Sequence, residues 1–165
     1  MIELVEAHYD SDVAVALVAA LNVEINERYA DTDETDGPDD REYLAEVTAD
    51  VVTRPFGSFL IAQIDGRAVG CGAVKPLAGS RSVGEIKRMY TVPDARRSGV
   101  GAAVLAGLET IACELGYIRL QLETGTMQPE AIAMYETRGW VRITPYGRYK
   151  DSPESVCFAR DVLRR

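Results

Sequence analysis

At 165 residues and 47% hydrophobic content, the chain suits one globular domain with a sizeable core. Its formal net charge of -8 makes a nucleic-acid backbone a poor partner and a cationic small molecule a better one. No apolar run approaches the roughly 20 residues of a membrane span, and the start M-I-E-L-V-E lacks the basic segment of a signal peptide, so a cytoplasmic protein away from membranes is expected.

Residues 2–7 read as a first strand. Asp10 or Ser11 then caps a helix with Val13, Leu17, Val18, Leu21 and Ile25 on one face. His8, the single histidine, has no second ligand type near it in sequence and reads as a solvated or strand-end residue. The stretch 31–42, D-T-D-E-T-D-G-P-D-D-R-E, reads as a polar loop entering a short helix at about 38–47, or alternatively as an acidic lid drawing ammonium groups toward a pocket. Arg28 and Tyr29, at the end of the preceding helix, are candidates to line that pocket. Phe59–Ile64 and Ala68–Leu77 flank Asp65-Gly66, a two-residue hairpin signal, and the turn at Gly79 and Ser80 adds a further antiparallel strand. Cys71, Cys113 and Cys157 lie in apolar segments without metal-ligand spacing; free core thiols and no metal are expected.

The chemistry concentrates in E-I-K-R-M-Y-T-V-P-D-A-R-R-S-G-V-G, from Glu85 to Gly101. Residues 83–92 read as a strand closed by Pro93. Val104, Leu105, Leu108, Ile111, Ala112 and Leu115 then recur at helical spacing, ending at Gly116 as a left-handed cap. A strand, a glycine loop and a helix N-terminus make an anion site. Amides of Arg97, Ser98, Gly99, Val100, Gly101 and Ala102 are expected to face a phosphate or pyrophosphate at the positive end of the helix dipole. A P-loop would need Gly-Lys-Ser/Thr, which is absent. A dinucleotide fingerprint needs Gly or Ala where Val104 stands, and its glycines follow the strand almost directly, whereas about six residues intervene here. Arg119–Glu123 reads as a fifth strand, parallel to the one before the loop because a long helix connects them. A helix at 129–138, a strand near 140–143 and a last strand at 155–162 complete a single domain over 1–165, without internal repeat.

The loop resembles the Arg/Gln-x-x-Gly-x-Gly/Ala signature of the Gcn5-related N-acetyltransferases, matched by Arg96, Gly99 and Gly101, with Arg97 where that family more often has glycine. The likeness extends to E-I-K-R-M-Y-T, to L-Q-L-E-T-G at 120–125 and to Q-P-E-A-I-A-M-Y-E-T-R-G-W at 128–140, in the family's order over roughly residues 59–143. It implies an α/β fold: a mixed, mostly antiparallel central sheet of about seven strands, flanked by about four helices, with strands 4 and 5 splayed apart. Acetyl-coenzyme A enters that split in the family. Carried onto this chain, the resemblance implies pantetheine pairing along Met89, Tyr90 and Thr91, and an amide near Met89 polarising the thioester carbonyl as charge develops on it.

The pattern Asn-x-x-Ala-x-x-x-Tyr is met by Gln128, Ala131 and Tyr135, which implies Tyr135 as proton donor to the coenzyme sulfur and leaves glutamine in place of the contacting asparagine. Packing alone is the other reading of Tyr135. Glu85 stands where histone-acetylating members carry a general base, and burial on a strand would raise its pKa; the alternative is a salt bridge to Lys87 or Arg88. Glu123 ends the fifth strand with its face undetermined, as a substrate or base candidate. Trp140, Tyr146 and Tyr149 read as core or interface residues, and the segment around Gly147 and 151–153 as a loop that reaches the acceptor site or a dimer partner. The resulting expectation is transfer of acetyl from acetyl-coenzyme A to a primary amine of a small cationic acceptor, by direct attack and in a homodimer. A non-catalytic acyl-coenzyme A sensor and a nucleotide-binding regulatory domain are the alternatives.

Overall fold

A computed structural model of the chain describes residues 1–32 and 45–162. The helix expected at about 38–47 and the acidic stretch from residue 33 on fall outside the described residues or straddle their edge. Among the described residues no helix is long and apolar enough to cross a membrane.

Seven strands form one sheet in the order β1-β2-β3-β4-β5-β7-β6. They are β1 (Ile2–Glu6), β2 (Ser58–Ile64), β3 (Arg67–Pro76), β4 (Val83–Thr91), β5 (Arg119–Gly125), β6 (Val141–Ile143) and β7 (Ser155–Asp161). All neighbours are antiparallel except β4 and β5, which the long crossover makes parallel. The β2–β3 hairpin turns on Asp65 and Gly66, with φ of 51° and 77°, the left-handed pair that a tight hairpin demands.

Two apolar layers cover the sheet. Helix α1 (Asp12–Tyr29) starts at Ser11, whose hydroxyl accepts from the Ala14 amide at 3.4 Å. It buries Ala14, Leu17 and Leu21 against Phe59, Ile61, Cys71, Ala73 and Tyr90. Val13, expected on that face, is 45% exposed, because Ala14 takes the position toward the sheet. Helix α2 (Val100–Glu114) packs on the opposite face, where Val104, Leu105 and Leu108 meet Leu60, Val74, Ile86 and Leu122. It ends as expected at Gly116 (φ 89°), with Tyr117 N–H donating to Ala112 O and Gly116 N–H to Cys113 O. Helix α3 (Pro129–Thr137) adds Tyr135, which packs against Trp140 and Phe158.

One irregularity positions the site. The β3–β4 register passes from Cys71–Tyr90 to Ala73–Lys87, so β4 carries one extra residue, and Arg88 sits there at φ 57°. The bulge resets the alternation: Ile86 and Met89 pack with α2, whereas Tyr90 packs with α1. On its other edge β4 pairs with β5 only from Val83–Arg119 to Ile86–Leu122. Beyond that, Lys87–Thr91 and Glu123–Gly125 have no pairing between them, and the strands part.

Candidate active site

A cleft of about 870 Å³ opens where β4 and β5 separate. Its walls are the free stretch of β4 with Met89, Tyr90 and Thr91, the loop residues Arg96, Arg97 and Gly99, and the α2 start with Val100, Gly101 and Ala102. Opposite stand Glu123, Gly125, Gln128 and Tyr135, with Tyr29 of α1 above them. Three residues named from the sequence are not on the wall: Ser98, Arg28 and Glu85. Ser98 turns its hydroxyl to the Ala95 carbonyl at 2.6 Å. Arg28 is spent on Glu24, on Glu130 and on the Met127 carbonyl at 2.8 Å.

The anion end is made of main chain. The first hydrogen bond of α2 runs from Ala103 N–H to Gly99 O at 2.9 Å, so the amides of Val100, Gly101 and Ala102 have no acceptor within the helix. Gly99 has φ 88° and open space where a Cβ would stand. Arg97 holds φ 63°, a left-handed geometry that costs a non-glycine residue about 1–2 kcal/mol and accounts for glycine being commoner there. These amides and the unpaired edge of β4 fit an extended phosphorylated thioester carrier: diphosphate on the helix start, amide-bearing arm along the strand. At Gly125 a Cβ would lie 1.7 Å from the Tyr29 hydroxyl, so α1 closes over β5 only because that residue is glycine.

The acidic residues at the split differ sharply. Glu85 is buried and ion-paired to Lys75 at 2.8 Å and Lys87 at 3.5 Å, and it accepts a hydrogen bond from the Tyr146 hydroxyl at 3.1 Å. Burial opposes its ionisation, but Lys87, Lys75 and these hydrogen bonds outweigh it and hold the carboxyl below its ordinary value. The expected rise in its pKa is therefore corrected to a fall, with the salt bridge to Lys87 in place. Lys87, paired also to Glu46 at 2.9 Å, keeps its proton more firmly than usual, since these carboxylates outweigh its burial. Glu123 shares the face of Glu85, two residues beyond Gln121, the register partner of Glu85. It accepts a hydrogen bond from Ser155 Oγ at 3.1 Å. Burial pushes its carboxyl up to about 7, with Glu46 and Glu85 adding to the rise against the pull of Lys87 and Ser155.

Tyr135 lies in the cleft wall at 4% exposure, its phenol raised above the ordinary value by burial and so protonated at neutral pH. Among the described residues none hydrogen-bonds its hydroxyl. Cys157 faces Glu123 in the β5–β7 register but is buried, with its thiol pushed up by desolvation, and is not on the cleft wall. Of Tyr146 and Tyr149, read from sequence as core or interface, Tyr149 is part of the wall together with Glu154 and Ser155, whereas Tyr146 lies off it and donates its hydroxyl to Glu85. Sequence reading also passed over Lys75 and Glu24. The signal for Lys75 was its place opposite Glu85 across a hairpin, visible only once the register is known.

A family model for acetyltransferases of the GNAT family matches residues 20–140. The chain belongs to that family. An IAA acetyltransferase of Azospirillum brasilense is 36% identical over 105 residues, covering 64% of this chain and 68% of that protein. Matches to other curated N-acetyltransferases span 56%, 62% and 64% of those proteins' length. Among solved structures, a proposed acyl-CoA N-acyltransferase of Klebsiella pneumoniae superposes with a TM-score of 0.77 at 26% identity over 99% of both chains. An N-acetylglutamate synthase of Neisseria gonorrhoeae, complexed with coenzyme A and N-acetyl-glutamate, superposes at 0.69 and 26% identity, over 99% of this chain and 36% of that one. The parted β4 and β5, expected from the resemblance and present in the register, are thus the cleft of a GNAT acetyltransferase domain.

Proposed function

We propose that this GNAT domain transfers acetyl from acetyl-coenzyme A to the primary amine of a small cationic acceptor, by direct attack in a ternary complex. The observation that carries the reading is a carboxylic acid titrating near neutrality, Glu123, in the same cleft as an amide-lined helix start and a protonated tyrosine. Glu123 takes a proton from the acceptor ammonium, and the freed amine attacks the thioester carbonyl. A base of pKa about 7 is suited to that task at neutral pH, more so than the ion-paired Glu85. Main-chain amides near Met89 stabilise the oxyanion as the C–N bond forms. The C–S bond then breaks, Tyr135 gives its phenolic proton to the departing thiolate, and the second proton of the adduct nitrogen replaces it. The thioester supplies the activated acyl group; the chain's residues bind, orient and move protons. Acidic Glu123 and Glu154 on the cleft wall favour a cationic acceptor, and a cytoplasmic homodimer without metal belongs to the same reading.

Purified protein given acetyl-coenzyme A and a panel of polyamines, amino acids, aminoglycosides and peptide amines tests this through thiol release. Release that depends on one amine class is expected. Tight coenzyme binding without release across the whole panel would make the domain an acyl-coenzyme A sensor instead.

A further inference from the structure

Glu24 of α1 uses both carboxylate oxygens as a bridge. Oε1 accepts from Arg28 Nε–H at 3.0 Å, and Oε2 pairs with Arg96 Nη2. Arg28 extends the bridge to the β5–α3 loop through the Met127 carbonyl at 2.8 Å, and to the first turn of α3 through Glu130. Arg96 extends it the other way, donating Nε–H to the Thr91 carbonyl at 3.1 Å. The side chains are half-sheltered, with Glu24 and Arg28 each 23% exposed and Arg96 31%, so they are screened less than surface pairs. A guanidinium held by one edge at two acceptors is fixed in orientation, which a lysine at the same place would not achieve.

Arg96 is the arginine of the glycine-loop signature, yet its charge is balanced within the protein and its Nε–H is spent on main chain. We propose that Glu24 is a positioning residue which, through Arg96, fixes the Thr91 end of β4 as the edge that receives the carrier's pantetheine arm, so that Arg96 is a strut and not a phosphate ligand. The proposal rests on the acetyl-coenzyme A reading above. Removing either partner releases the Thr91 carbonyl and softens the edge, and the loss falls on the pantetheine portion of the carrier, not on its phosphates.

Dissociation constants for coenzyme A, and for pantetheine by competition, are to be measured on the wild type, Glu24→Gln, Arg96→Gln and the double variant, with thermal melting as the folding control. Each single change is expected to weaken coenzyme A binding by about tenfold, with the double variant no weaker than either, because residues acting through one another do not add. Pantetheine, which has no diphosphate, should suffer the same penalty. Arg96→Lys keeps the charge opposite Glu24 and loses the fork; it should bind as poorly as Arg96→Gln while remaining folded. Additive penalties, a penalty in Arg96→Gln confined to coenzyme A, or full binding in Arg96→Lys would each overturn the proposal. A wild type that binds neither probe overturns the acetyl-coenzyme A reading, and the proposal falls with it.

Discussion

The two halves of the β4–β5 junction differ in one respect, whether the strands are hydrogen-bonded, and their acidic residues behave oppositely as a result. In the closed half Glu85 lies opposite Lys75 on one neighbour and Gln121 on the other, with two ammonium groups and a phenol within 3.5 Å. In the parted half Glu123 has one hydroxyl at 3.1 Å and a cleft before it. Both are sheltered from water, so burial alone distinguishes nothing; partners decide. The carboxyl compensated by lysines ionises more readily than usual, and the one with a single hydroxyl in contact holds its proton up to about pH 7.

Exchanging the free carboxyl should have the largest effect. Glu123→Gln is expected to lower kcat/KM by about 10³-fold and to remove the acidic limb of its pH profile near pH 7; an unaltered limb would return the base role to another group. In the closed half, Lys75→Met leaves Glu85 with the longer Lys87 contact as its one ammonium partner among the described residues, beside the Tyr146 hydroxyl, and urea unfolding at pH 7 should show a loss of about 3 kcal/mol. A loss too small to resolve would mean that the pair does not stabilise the fold. Tyr135→Phe should reduce kcat by about 10²-fold with the KM for acetyl-coenzyme A unchanged, since its hydroxyl has no partner among the described residues. Equal turnover would reduce it to packing against Trp140 and Phe158.

The smallest effect is thermodynamic. Glu123 titrates at about 7 in the fold against 4.5 for an unperturbed glutamate, so well below pH 4.5 both states hold the proton and the group costs nothing. As pH rises toward 7 the unfolded chain ionises first, and the fold loses stability until the folded carboxyl ionises as well. Glu123→Gln should therefore melt higher than wild type at pH 8 and no higher at pH 4. A margin independent of pH would show that burial of a charge is not its source.

Much of the fold was legible because local rules suffice for it. The left-handed pair at Asp65-Gly66 that turns β2 into β3, the helical spacing from Val104 to Leu115 and the cap at Gly116 each depend on residues within a turn or two of one another. The unpaired amides at the start of α2 were legible for the same reason: every helix start leaves its first amides without a partner in the helix. Val13 was misplaced because a hydrophobic face read by spacing does not say which edge of it meets the sheet.

The chemistry at the split was not legible in this way. The sequence by itself determined that a glycine loop and a long helix join two parallel strands, and supplied Glu85, Glu123 and Tyr135 as the acid–base candidates near them. Only the tertiary structure decided their states, since a carboxyl's proton affinity depends on groups brought up from elsewhere in the chain: Lys75 across a hairpin, Tyr146 and Ser155 from the last loop and strand, and an extra residue at Arg88 that resets which side chains share a face. Strand pairing fixes those distances, and no local pattern carries them.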